Sequence, residues 1–291
     1  MKKNDILFSL VVILTFAIVG AFLSVIFSRF IDFGGVKAIQ TSIPKQIIPA
    51  QKDSATKQPV RVAALNPPVP QDAPADIKNA VMLGYNIMMD TSKYAAGYVG
   101  NKLKCANCHF NGGITGGGKN GGLSLVGVAA TYPKYQRRQD YAVDLITQTN
   151  DCFERSMNGK PLPPESKEMT AIITYYQWIS RGLPIYADIR WLGLEHIQSA
   201  HSPDTVKGKQ VFAQRCAMCH GNSGEGTQIG PPLWGNDSFN DGAGMHQLEN
   251  LAAFSHENMP KGNPDLTAED ALDIAAYVTS QPRNHFVLEK K

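Results

Sequence analysis

Cys105-Ala106-Asn107-Cys108-His109 and Cys216-Ala217-Met218-Cys219-His220 decide how this chain is read. In each, two residues separate a pair of cysteines and a histidine follows at once. At that spacing both thiols can add to the vinyl groups of one haem as thioethers, and the histidine can bind the iron from the proximal side. One Cys-x-x-Cys pair alone would also suit a zinc or dithiol redox site; two copies, each closed by histidine, favour haem. Two covalently attached c-type haems are therefore expected, one through Cys105, Cys108 and His109, the other through Cys216, Cys219 and His220. Such attachment takes place outside the cytoplasmic membrane in bacteria, so the chain is expected to be exported. The two motifs use four of the five cysteines. The fifth is Cys152, in Asn150-Asp151-Cys152-Phe153-Glu154-Arg155-Ser156-Met157-Asn158-Gly159. A haem and an additional thiol in one small domain point towards sulfur chemistry.

Around the first motif, residues 76–182 read as one domain. Asp76 to Asp90 places Ile77, Val81, Gly84 and Met88 near one helical face. Gly84 would let a second helix approach closely. Tyr94, Gly97 and Tyr98 lie in a stretch expected to loop over the haem edge. Gly112 to Gly122 is glycine-rich, and Gly113…Gly118-Lys119 imitates a phosphate-binding loop. Asn120 stands where that loop needs Ser or Thr for magnesium, and no strand precedes it, so the nucleotide reading fails. The glycines are read instead as letting the backbone wrap close to the porphyrin. Met169, Ile172, Ile173 and Tyr176 repeat at helical spacing within Glu168 to Ser180, which closes the domain.

The cations of this domain have two readings. Arg137 and Arg138, in Tyr132-Pro133-Lys134-Tyr135-Gln136-Arg137-Arg138-Gln139-Asp140, would ordinarily be a solvated pair. Beside a haem pocket, their rigid forks of donors suit an oxyanion. Arg155 follows Cys152 by three residues, an offset that shares a helix face. Two residues compete for the distal side of the first haem. Met157 lies 19 residues before Tyr176, much as Met259 lies 18 before Tyr277. Cys152 is the alternative, because a lone thiol in an exported protein is a hazard unless buried, bonded or used. A thiolate ligand would also lower the iron potential relative to methionine.

Residues 183–202 read as a linker and 203–291 as a second, more regular haem domain. Gly208 and Phe212 lie four apart before Cys216, a common class I cytochrome c arrangement. Thr267-Ala268-Glu269-Asp270 is a capping-box start, and Ala271, Ile274, Ala275 and Val278 form the apolar face of a last helix. Met259, in His256-Glu257-Asn258-Met259-Pro260-Lys261-Gly262, is the expected distal ligand, with Met245 as runner-up and His246, His256 and Lys261 behind it. Methionine ligation raises the potential and suits an electron exit. The expected architecture is all-α: two class I cytochrome c-like haem domains in tandem, after an N-terminal membrane helix and a disordered tether.

The apolar run from Ile6 to Phe27 is long enough for a bilayer, which needs about 20 residues. No short apolar core with an Ala-x-Ala-like site is present, so residues 1–33 read as an anchor or uncleaved signal. Lys2 and Lys3 place the N-terminus in the cytoplasm, with Arg29 as a weak counter-signal. The remainder is expected in the periplasm, anchored to the inner membrane by residues 6–27. Residues 34–75 are rich in Pro, Gln, Ala and Lys and read as a tether with partial polyproline stiffness. The formal net charge is +3 with no basic stripe, which argues against a nucleic-acid partner.

Cys152-Phe153-Glu154-Arg155-Ser156-Met157-Asn158-Gly159, beginning 43 residues after His109, resembles the dihaem c-type thiosulfate dehydrogenases. So do Tyr98-Val99-Gly100-Asn101-Lys102-Leu103-Lys104-Cys105 and Gly230-Pro231-Pro232-Leu233-Trp234-Gly235, and the likeness extends over nearly everything from about residue 80 onwards. The resemblance implies Cys152, in preference to Met157, as distal ligand of an active-site haem. It places Arg138 and Ser156 at the family's active-site arginine and serine positions, with Arg155 a weaker match. It implies oxidation of two thiosulfates to tetrathionate, with the reverse reduction in varying degree. Electrons would leave through the second haem to a soluble cytochrome c or another periplasmic carrier. Asn258 stands where some members carry a lysine beside the methionine, so the chain is similar to the branch whose second haem is His/Met-bound. The rival expectation is a membrane-tethered dihaem electron-transfer cytochrome with no substrate of its own. Its distal ligands would be Met157 and Met259, and Cys152 would be an ordinary buried thiol.

Overall fold

The computed structural model describes residues 65–137 and 139–287. The anchor reading of residues 6–27, the tether reading up to residue 64, and Arg138 lie outside the described residues. Among the described residues no helix is long and apolar enough to cross a membrane.

The first half contains α1 (Lys78–Met89), α2 (Thr91–Tyr94), α3 (Leu145–Asp151) and α4 (Lys167–Ile179). α1 buries Val81, Gly84, Ile87 and Met88, a one-sided stripe at helical spacing. α4 starts where the Ser166 hydroxyl accepts the Met169 N–H at 3.1 Å, and it buries Met169, Ile172, Tyr175, Tyr176 and Ile179. The two helices cross at Gly84, where any Cβ would overlap the Ala171 carbonyl and the Tyr175 Cβ. Glycine is needed there for want of space.

Two features of this half depart from expectation. Lys134–Gln136 (β1) and Tyr141–Val143 (β2) form an antiparallel hairpin with Tyr135 opposite Ala142, so the fold is mostly helical rather than all-α. The chain also joins the core before residue 76. Pro70–Asp72 form a 3-10 turn, Ala73 is buried, and the Trp178 indole donates to the Val69 carbonyl at 3.1 Å. The Val69 carbonyl also accepts the Asp72 N–H at 3.0 Å, so its second lone pair serves the indole, whose N–H needs an acceptor once it is half-buried.

The second half contains α5 (Thr205–Arg215), α6 (Ala217–His220), α7 (Leu248–Asn258) and α8 (Ala268–Thr279). Asp204 caps α5, and the Thr267 hydroxyl accepts the Asp270 N–H to start α8 as its sequence signals. α5 and α8 cross at Gly208, where a Cβ would overlap the Asp273 carbonyl. Phe212 is buried under this crossing, with ring centroids 5.1 Å from Trp234 and 5.6 Å from Tyr277. Burial of such a ring contributes about 1.5–3 kcal/mol.

The halves are joined by specific contacts. The glycine-rich loop lies on the end of α7: the Asn120 N–H donates to the Glu257 carbonyl and the Gly122 N–H to the Asn258 side chain, each at 2.7 Å. Phe110 meets Phe254 edge to face at 6.0 Å. Within residues 183–202, Trp191 donates to the Val126 carbonyl at 2.8 Å and Ile197 packs on the second core, so this linker is a strap bound to both halves.

Candidate active site

Each Cys-x-x-Cys-His motif folds the same way. The His109 Nδ1 lies 2.9 Å from the Leu123 carbonyl, and the His220 Nδ1 lies 2.7 Å from the Pro231 carbonyl. A carbonyl only accepts, so Nδ1 carries the proton in both rings and Nε2 is left as a lone-pair donor for a metal. Burial lowers the pKa of both histidines against the opposing pull of these carbonyls, which favours the neutral ligand form. The four motif cysteines are in no disulfide and are half-buried. This donor set fits two covalently bound c-type haems.

Cys152 opens a π-helical turn, Cys152–Ser156, that continues α3. The turn is closed by the Met157 N–H donating to the Cys152 carbonyl at 3.1 Å. Such i→i+5 turns are rare and recur at functional positions. Cys152 is half-buried. Two tyrosines lie within its electrostatic reach. Tyr132 is pushed up to about 12 by burial, with Cys152 adding to the shift. Tyr176 is raised well above the usual phenol range by burial, with Cys105 and then Cys152 adding. Cys105, of the first motif, packs against the core cluster that holds Tyr176 and Phe153, the residue after Cys152. Met157 is 3 % exposed and packs in the first core with Phe153 and Leu162.

The cations of the turn are differently placed. The Arg155 guanidinium is buried, with Nε donating to Asp151 Oδ1 at 3.2 Å, Nη1 to the Gly242 carbonyl at 3.4 Å, and its plane 4.0 Å over the Phe286 ring. Ser156 is half-buried at the end of the turn, its carbonyl accepting from the Asn101 side chain at 2.9 Å. Arg137 is exposed at the β1–β2 hairpin. Beside position 138, Gln139 donates to Asp151 Oδ2 at 2.5 Å, so the hairpin is fastened to the residue before Cys152. In the second half, Met259 ends α7 and packs on the cluster that also holds Phe212 and Cys216. Met245 packs instead on Leu103, Phe239 and Ala243.

The sequence reading missed Asn101, Gln139, Asn240 and Phe286, all of which grip the Cys152 turn or its neighbours. Asn240 and Phe286 act on residues far away in the chain and no short motif marks them. Asn101 and Gln139 sit in the stretches 98–105 and 132–140, which give no sign of what they hold.

Two helix-crossing cores with a haem-ready histidine in each define a tandem c-type cytochrome. Residues 97–185 match the family described as SoxA/TsdA, cytochrome c domain, and residues 205–282 match cytochrome c. The chain is 39% identical over 225 residues to a thiosulfate dehydrogenase of Stutzerimonas stutzeri, covering 75% of this chain and 72% of that protein. It is 36% identical over 222 residues to one of Thiomonas intermedia, covering 74% and 68%. A solved thiosulfate dehydrogenase, TsdBA of Marichromatium purpuratum in its as-isolated form, superposes with a TM-score of 0.69 at 29% identity. That likeness covers 75% of this chain and 49% of the other, so this chain spans about half its length. The chain belongs to the thiosulfate dehydrogenase family.

Proposed function

We propose that this protein oxidises thiosulfate, joining two molecules into tetrathionate, and that it also catalyses the reverse reduction. Each thiosulfate dianion gives up one electron as a sulfur–sulfur bond forms. The haems, when bound, accept these two electrons and pass them to a cytochrome c-type acceptor. The observation that supports the reading is packing: Cys105 lies against the core cluster that holds Phe153, Met157 and Tyr176, the first two belonging to the segment that Cys152 opens.

His109 and Cys152 would hold the first haem iron, and His220 and Met259 the second. Cys152 is assigned as the thiolate that would bond the outer sulfur of one thiosulfate with loss of two electrons to the haems. A second thiosulfate would displace it, releasing tetrathionate and restoring the thiolate. Two dianions repel, so the site needs cationic and hydrogen-bonding groups around the thiol. Arg138, Arg155 and Ser156 are assigned to that task. Asp151 and Phe286 hold the Arg155 guanidinium in a fixed, buried position, with the Asp151 carboxylate offsetting part of its charge, so its part is chiefly to donate hydrogen bonds and order the turn. The location proposed is the periplasm, with residues 6–27 as the inner-membrane anchor and 34–75 as the tether.

Steady-state assays test this reading: thiosulfate with ferricyanide in one direction, tetrathionate with a reduced dye in the other. Turnover in the first is expected. Its absence in both would leave a dihaem electron carrier.

A further inference from the structure

We propose that Asn240 is a positioning residue for the Cys152 turn, so that the second domain aims the thiol of the first. This rests on the reading of Cys152 given above. A helix that ends in an i→i+5 turn leaves its last carbonyls out of register with any intrahelical donor, and each must find another. Here every one does. The carbonyl of Cys152 accepts the Met157 N–H, that of Phe153 the Gly159 N–H at 2.9 Å, and that of Met157 the Gly100 N–H at 2.9 Å. The remaining carbonyls look to the second domain or to a residue tied to it. Asn240 Nδ2 donates to the Glu154 carbonyl at 2.9 Å and the Asn240 N–H to the Arg155 carbonyl at 3.0 Å. The Ser156 carbonyl takes Asn101 Nδ2, which also donates to the Ser238 carbonyl at 2.9 Å.

Asn240 is itself immobilised. It is 4 % exposed, and its Oδ1 accepts the Gly242 N–H at 3.1 Å. The C-terminal segment braces the loop from behind: the Asp241 N–H donates to the Asn284 carbonyl at 3.0 Å and the Phe286 N–H to Asp241 Oδ1 at 2.7 Å. Phe286 then lies beneath the Arg155 guanidinium. One loop thus fixes two consecutive carbonyls of the turn while the segment behind it fixes the side chain between them. A turn so held presents Cys152 in one orientation; a turn released on this side has several.

The test is Asn240→Asp in the full-length dihaem protein. The substitution keeps the shape and the acceptor for Gly242 but removes the donor to Glu154. The expected result is a fall in kcat for thiosulfate on the order of 10–100-fold, the scale of a small misplacement at a reacting centre, with KM changed less than about twofold. The electron-spin-resonance signal of the first haem should split into more than one low-spin species, while the methionine-to-iron absorption band of the second stays as in the parent. Parent kcat with an unsplit signal overturns the proposal. Equal disturbance of both haem signals also overturns it, since that is general loosening. Where Asn240→Asp does not accumulate, Phe286→Leu, which removes the ring beneath Arg155, is read by the same criteria. A parent protein without thiosulfate turnover fails at the underlying reading and takes this proposal with it; the parent assay therefore separates the two failures.

Discussion

The two halves solve one packing problem in one way and then diverge at the site above it. Gly84 against Ala171 and Tyr175 in the first half repeats Gly208 against Asp273 and Tyr277 in the second. Each half also holds a histidine whose Nδ1 is committed to a carbonyl. Beyond that, the second half ends α7 regularly and presents Met259, whereas the first ends α3 in a π turn and presents Cys152. The second domain packs its distal segment within its own core; the first borrows Asn240 for its own. The lesson is that a scaffold for electron transfer becomes a candidate reaction site by changing one helix end, at the cost of needing its neighbour to hold that end.

The largest effect that would sharpen this contrast is at Cys152. Cys152→Gly should lower thiosulfate turnover on the order of a thousandfold or more, as removal of a reacting nucleophile does, with both haems still attached. Normal tetrathionate production by that variant would erase the chemical difference between the halves. Next come the crossings. Gly84→Val and Gly208→Val should each cost about 1–3 kcal/mol or more in denaturant unfolding, because the new side chain meets backbone that cannot yield. A neutral result at either position would break the structural equivalence.

A smaller effect lies at the contact between the halves. Asn258→Leu leaves the buried Gly122 N–H without its acceptor and should cost about 1–3 kcal/mol. Thermal or denaturant scans would detect it. The smallest effect is in acid. The second crossing carries Asp273 where the first has Ala171. Burial pushes the Asp273 carboxyl up, but hydrogen bonds from His201, the Asp204 N–H and Lys207 together hold it below its usual value. Its folded pKa thus lies below its unfolded one, so the stabilisation is full at neutral pH and lost as pH falls below about 4. Acid titration should therefore disturb the second haem before the first, and Asp273→Asn should remove that order.

Legibility followed the range of the contacts. The haem motifs, both crossing glycines and the Thr267 cap were readable because each is a local pattern with a physical cause. α4 and α8 were readable from their apolar periods. The β1–β2 hairpin was not, since its strands are three residues long and mostly exposed. Cys152 and Arg155 were expected to share a helical face, an inference the π turn changes. Val69 and Ala73 looked like tether because proline-rich sequence gives no period, yet Trp178 needed an acceptor and found it there. Asn240 gave no signal at all: its partners Glu154 and Arg155 lie about 85 residues earlier, and a single asparagine leaves no pattern.

Electron-spin resonance of the oxidised protein shows whether the sulfur of Cys152 meets the first haem. The expected result is a low-spin ferric signal of thiolate ligation that disappears in Cys152→Gly, beside a second signal of His/Met type. Two His/Met signals, both unchanged in Cys152→Gly, would contradict it.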